Sequence, residues 1–138
     1  FKKIIYLSKK QNLKLKIFDA FRPTEAQWKL WEHTPNEYFI ANPKKFSPHS
    51  IGVAIDLTLI NKNNYELYIF IIFYNFSSKS FHGNTKISQE AQKNRYILLG
   101  IMLAGGWDFY KKEWWHYQLF NSKKYKLIKN YMLKNNIM

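Results

Sequence analysis

Cysteine is absent from the 138 residues, glycine and proline number five and four, and nine acidic residues face 22 basic ones. Without cysteine there is no disulfide scaffold and no cysteine-based zinc finger. Stability has to come from a buried core, which a chain of this length can build as one domain, residues 1–138. Arginine is almost as scarce, because all the basic residues except Arg22 and Arg95 are lysine. A formal charge of +13 invites a nucleic-acid or membrane-surface reading. Phosphate recognition, however, favours the planar fork of arginine. Lysine arrives here with abundant Asn, Ile, Phe and Tyr, the drift of an AT-rich genome. A solvated lysine surface is therefore expected, with neither nucleic acid nor membrane as partner.

Long apolar runs are missing too. The most apolar stretch, 67–76, is too short to span a bilayer. Residues 1–13 carry Lys2, Lys3, Lys9 and Lys10 and lack the apolar core and small-residue cleavage site of a secretory signal. The expected location is the cytoplasm, or the periplasm if a leader precedes Phe1.

What is present reads as alternating punctuation and pattern. Residues 1–10 form an amphipathic helix end, broken at Gln11-Asn12. Leu13, Leu15 and Ile17 alternate with Lys14 and Lys16, the period of a half-buried strand with those three apolar residues inward. Arg22 precedes Pro23, which biases it away from helix and presents it at a strand-to-helix turn. Thr24 and Gln27 have the spacing of a capping box opening a helix that carries Trp28 and Trp31 and ends before Pro35. Residues 53–60 read as a buried strand. A turn at 61–64, renewed extended character from Tyr65 and a surface loop over 76–87 follow. Ser88 caps a helix that Gly105-Gly106 ends. Residues 107–110 and 114–120 read as a closing hairpin. Tyr125, Leu127, Ile128, Tyr131 and Met132 have the spacing of a last amphipathic helix. Helices few and separate from strands predict α+β with a mainly antiparallel central sheet flanked by helices.

One stretch carries chemistry. From Ser47 to Leu59 the chain reads Ser-Pro-His-Ser-Ile-Gly-Val-Ala-Ile-Asp-Leu-Thr-Leu, with His49 and Asp56 seven residues apart. In a strand, Gly52, Ala54, Asp56 and Thr58 share one face while Val53, Ile55, Leu57 and Leu59 face a core. Asp56 then stands on a face cleared of bulk, with His49 just upstream. A catalytic zinc takes three protein ligands and keeps one open position, and His116, in Glu113-Trp-Trp-His, is the third candidate. Glu113 is expected on the bend before that strand, in reach of a water at the open position. Arg22 could stabilise an oxyanion, which makes amide hydrolysis the reaction class. Read singly, the same residues have plainer roles. His49 can be a loop histidine, Asp56 a strand-end carboxylate, Glu113 a solvated turn residue, Arg22 a surface ion pair, and Trp107, Trp114 and Trp115 core aromatics.

Three blocks in order give a further signal: Asp19-x-Phe-Arg22-Pro23, Ser47-x-His49-x-x-Gly52-x-Ala54-x-Asp56, and Glu113-x-Trp115-His116. With Glu90-Ala-Gln92-x-x-Arg95 between them, the chain resembles the D-alanyl-D-alanine dipeptidase family of zinc peptidases over roughly residues 13–120. That family shares its wider fold with D-Ala-D-Ala carboxypeptidases and the Hedgehog signalling domain. The resemblance implies one Zn2+ held by His49, Asp56 and His116, Glu113 as general acid/base, and Arg22 as transition-state stabiliser. It also implies Ser47 at the substrate-binding edge and free D-Ala-D-Ala as the small dipeptide substrate, cleaved by a metal-activated water. Two departures stand out. The N-terminal region is shorter than in family members, and Asn75 falls where they carry an acid facing the substrate's ammonium group. Asn75 is thus expected to bind substrate without its charge. The alternatives are a carboxypeptidase or other peptidoglycan peptidase of the same fold, or a non-catalytic zinc-binding module.

Overall fold

The computed structural model describes residues 1–45, 47–70, 73, 75–129 and 132–133, and at Lys123 the backbone alone. Three helices and four strands are present: α1 (Lys2–Lys10), β1 (Lys14–Asp19), α2 (Thr24–His33), β2 (Ala54–Ile60), α3 (Gln89–Ala104), β3 (Trp107–Phe109) and β4 (His116–Leu119). The strands form one sheet in the order β1-β2-β4-β3, with every neighbouring pair antiparallel. This is the expected α+β architecture. No helix among the described residues is long and apolar enough to cross a membrane.

The central strand β2 is buried from Ala54 to Leu59 because both its neighbours and both its faces are covered. Its odd-numbered residues, Ile55, Leu57 and Leu59, enter a core with Ile4 of α1, Leu98, Ile101 and Met102 of α3, and Trp114, Trp115 and Tyr117. The even-numbered face is left for Asp56. Ser88 caps α3 through its hydroxyl, which accepts from the Ala91 amide at 3.2 Å. Gly106, at φ +88°, turns the chain out of α3 into β3 in a region that side chains rarely adopt. Gly105 is required for another reason: a Cβ there would run into Ile4 Cγ1, so its absence lets α1 seat against α3.

Four expectations are corrected by the fold. In β1 the register slips by one residue between Ile17 and Asp19, a β-bulge. Phe18 consequently turns inward, stacked on Phe73 at 4.4 Å between ring centroids, while Ile17 is left 51% exposed. Strict alternation had put Ile17 inside. At α2 the box of Thr24 and Gln27 does not form. Pro23 holds the cap position without a side-chain cap bond, and Gln27 is buried and used elsewhere. The 76–87 loop is not all surface: Ser80 and His82 are buried. Arg95 of α3, itself buried, donates to the carbonyls of Ile69, Lys79 and Phe81 at 3.1, 2.9 and 3.2 Å and draws this loop inward. Finally, residues 125–129 are not helical. Tyr125 is extended, and Ile128 packs toward Gly52 with its amide donating to the Ser50 carbonyl at 3.3 Å. Tyr131 lies outside the described residues, as do 71, 72 and 74 of the apolar run.

Candidate metal centre

Asp56 and His116 are direct cross-strand partners on β2 and β4. Residues opposite one another in an antiparallel pair present their side chains on the same face, so strand pairing alone brings these two together. His49 arrives from a tight loop. The amides of Ile51, Gly52 and Val53 donate to the carbonyls of Ser47, His49 and Pro48 at 3.0–3.1 Å, and Gly52 turns at φ +75°. The Ser47 hydroxyl accepts from the His49 amide at 3.2 Å, and the His49 carbonyl accepts from the Arg22 amide at 3.3 Å.

Three atoms converge as a result. His49 Nε2 lies 3.1 Å from His116 Nδ1 and 3.3 Å from Asp56 Oδ1, and His116 Nδ1 lies 3.0 Å from Asp56 Oδ1. All three residues are buried and could together hold a metal ion. The outward nitrogens decide which atoms are lone pairs. His49 Nδ1 sits 2.7 Å from the Ala20 carbonyl, an acceptor that demands a proton on that nitrogen. His49 Nε2 is then a lone pair facing Asp56 and His116. Two imidazole nitrogens and a carboxylate oxygen so close, each directed at the others, repel unless a cation or proton sits among them. A tetrahedral zinc at about 2.0–2.1 Å from each donor would separate them by roughly 3.4 Å. The donor types, their spacing and the outward hydrogen bonds all fit zinc.

Burial works to raise the Asp56 pKa, but its interactions with the His116 and His49 imidazoles outweigh it. Its carboxyl is held below the usual range, ionised and fit to ligate. Glu113 goes the other way. It sits in the turn before β4, buried, with Oε2 3.9 Å from His116 Nδ1. Burial pushes its carboxyl up to about 8, against the pull of His116 and Arg22, with Asp56 adding a smaller push upward.

Arg22 is aimed by two groups. Its Nε donates to Asp19 Oδ2 at 2.8 Å, with Nη2 on the same oxygen, and Nη1 donates to Gln27 Oε1 at 2.8 Å. Gln27 in turn donates to the Ala41 carbonyl at 2.7 Å. The bulge in β1 serves the site as well, because it sets Asp19 opposite Asp56 and brings Ala20 within reach of His49.

Arg22, Ser47, His49, Asp56, Glu113 and His116 all line one cavity of about 230 Å³. Asn75 is exposed and is not among the described residues lining it. Missed by sequence reasoning were Gln118, and the wall formed by residues 37–41 together with Tyr110. Tyr110 donates to the Tyr38 carbonyl at 3.1 Å, and Lys112 Nζ lies 3.6 Å from the Tyr38 ring centroid. The loop's aromatic residues were the only sequence signal for this wall.

The chain is similar to known proteins. The profile of the D-ala-D-ala dipeptidase family matches residues 2–134. The D-alanyl-D-alanine dipeptidase of Escherichia coli (strain K12) is 34% identical over 126 residues, 91% of this chain and 65% of that protein. The proteins of the same name from Enterococcus faecium and Enterococcus faecalis (strain ATCC 700802 / V583) are 40% identical over 74 residues and 37% over 76. These two alignments take in 53% and 54% of this chain, and 37% and 38% of the relatives. The chain thus spans less than two thirds of the length of these curated relatives. A profile match over nearly the whole chain, on a fold that brings residues of all three sequence blocks to one cavity, decides the assignment: the chain belongs to the D-ala-D-ala dipeptidase family.

Proposed function

We propose that this chain hydrolyses the dipeptide D-Ala-D-Ala to two D-alanines, with one zinc held by His49, Asp56 and His116. The observation that carries the reading is the convergence of three buried ligand atoms within 3.0–3.3 Å, in a cavity that also contains a buried carboxyl and an arginine. Zinc, when bound, supplies a Lewis acid that lowers the pKa of water toward about 7 and draws the Glu113 carboxyl down as well.

Glu113 is the general acid/base. Its buried carboxyl, with Oε2 3.9 Å from His116 Nδ1, lines the same cavity as the three ligand atoms and is placed to accept a proton there. It takes one from the attacking water and delivers it to the amine nitrogen as the C–N bond breaks. Arg22 donates to the carbonyl oxygen as that atom gains negative charge, from a position Asp19 and Gln27 have already fixed. Ser47, with its oxygen accepting from the His49 amide, keeps its own O–H available for the substrate edge. The cavity lies below the roughly 300–1,000 Å³ of pockets for drug-sized ligands, which suits a dipeptide better than a polymer strand.

The test is D-alanine release by the zinc-loaded chain from D-Ala-D-Ala and, separately, from a muropeptide ending in D-Ala-D-Ala. The expectation is two D-alanines per dipeptide, little action on the muropeptide, and a loss of about 10²–10⁴-fold in Glu113→Gln. Zinc-loaded protein that releases nothing from the dipeptide would overturn the reading.

A further inference from the structure

The two histidines of the centre are secured differently. His49 Nδ1 faces a backbone carbonyl, that of Ala20, at 2.7 Å. No substitution at position 20 removes that acceptor. His116 turns its Nδ1 inward, so its outward nitrogen is Nε2, and the neighbour recorded there is the side-chain oxygen of Gln118, at 3.4 Å. Gln118 lies two residues along β4, and alternation places both side chains on one face of the strand. Gln118 also lines the cavity and is half-buried.

We infer that Gln118 is a positioning residue that fixes the His116 tautomer, keeping the proton on Nε2 and the lone pair on Nδ1 toward Asp56 and His49. The inference rests on the proposed metal centre and assigns a new part of it. The amide has one acceptor and two donors. Only the acceptor end can meet an N–H at Nε2, so the role also sets which way the amide points. Without the acceptor, the proton is free to move to Nδ1, where Asp56 Oδ1 waits 3.0 Å away. That tautomer puts a hydrogen where a ligating lone pair is needed. Partners of this kind behind ligating histidines typically contribute about 10–100-fold in metal affinity.

The backbone of Gln118 pairs with Ala54 and Asp108, and neither pairing involves its side chain. Gln118→Leu keeps the bulk and loses the acceptor, while Gln118→Glu restores one. Two measurements on the full chain separate the inference from the reading beneath it. In metal-free protein, ¹⁵N shifts of the His116 ring are expected to report a larger share of Nε2–H in the wild type and in Gln118→Glu than in Gln118→Leu, because Asp56 competes for the proton at Nδ1. Gln118→Leu is expected to shift the balance further toward Nδ1–H. In zinc titrations against a competing chelator, Gln118→Leu is expected to bind about 10–100-fold more weakly, with Gln118→Glu at least as tight as wild type. A Gln118→Leu variant with an unchanged tautomer balance and zinc affinity within twofold of wild type would overturn the inference whether or not the dipeptide is cleaved. A wild type that shows the Nε2–H form but binds no zinc would instead count against the metal centre itself, and with it against a role for Gln118 in metal binding.

Discussion

At the scale of single residues, a half-buried guanidinium and a buried neutral imidazole do different work. Arg22 is held by Asp19 and Gln27 in the cavity that His49, Asp56 and His116 also line, so the role proposed for it depends on the fork of donors rather than on charge alone. Arg22→Lys is expected to lower kcat on D-Ala-D-Ala by about 10²–10³-fold with KM changed only a few-fold, as steady-state kinetics would show. His82 is buried, and burial, with the nearby Arg95 charge, lowers its pKa to about 4. The unfolded imidazole protonates below about 6.5, so between these values the unfolded chain binds the extra proton. Stability is therefore present in full above pH 6.5 and falls as the pH drops toward 4. Urea midpoints measured from pH 7 to 4 should decline in the wild type, and the decline should be shallower in His82→Gln.

At the scale of elements, the site hangs on how loops are tied to strands. The 47–52 loop is braced from beneath by Ile128, whose Cδ1 would lie 2.7 Å from a Cβ on Gly52, in a backbone conformation at φ +75°. Gly52→Ala should cost about 1–3 kcal/mol from the backbone alone and weaken zinc binding through His49, which thermal melts and zinc titration would reveal together. Arg95 ties α3 to the loops at 69 and 79–81 through three carbonyls, and burial brings its pKa down only to about 10, so it stays charged. Arg95→Met removes the donors while filling much of the space. A loss of about 2–4 kcal/mol in urea unfolding is expected, since the stranded carbonyls are left short of partners. That loss should come with little change in KM.

At the scale of the whole molecule, the sequence was most readable where local pattern and tertiary need agree. The alternation in β2 placed Ile55 and Leu57 in the core and Asp56 opposite, and the Ser88 and Gly105-Gly106 signals bounded α3. The three residues expected to hold a metal lie together, with Asp56 and His116 joined by strand pairing; residue chemistry offered them as candidates and the family resemblance singled them out. Legibility failed where long-range partners overrode local preference. The bulge that turns Phe18 inward answers to the Asp19–Asp56 pairing rather than to its own alternation. Gln27 left its capping partner for a guanidinium and the Ala41 carbonyl, and the stretch from Tyr125 gave up helical spacing to lie along the 47–52 loop. Nothing local in those stretches encodes the partner.

The claim on which the rest depends is that His49, Asp56 and His116 form one metal centre, and calorimetric zinc titration of the full chain tests it most directly. The account predicts one zinc per chain, with binding weakened by orders of magnitude in each of His49→Ala, Asp56→Ala and His116→Ala, all still folded by circular dichroism. Absence of saturable zinc binding in the wild type, or binding that survives all three substitutions, would contradict it.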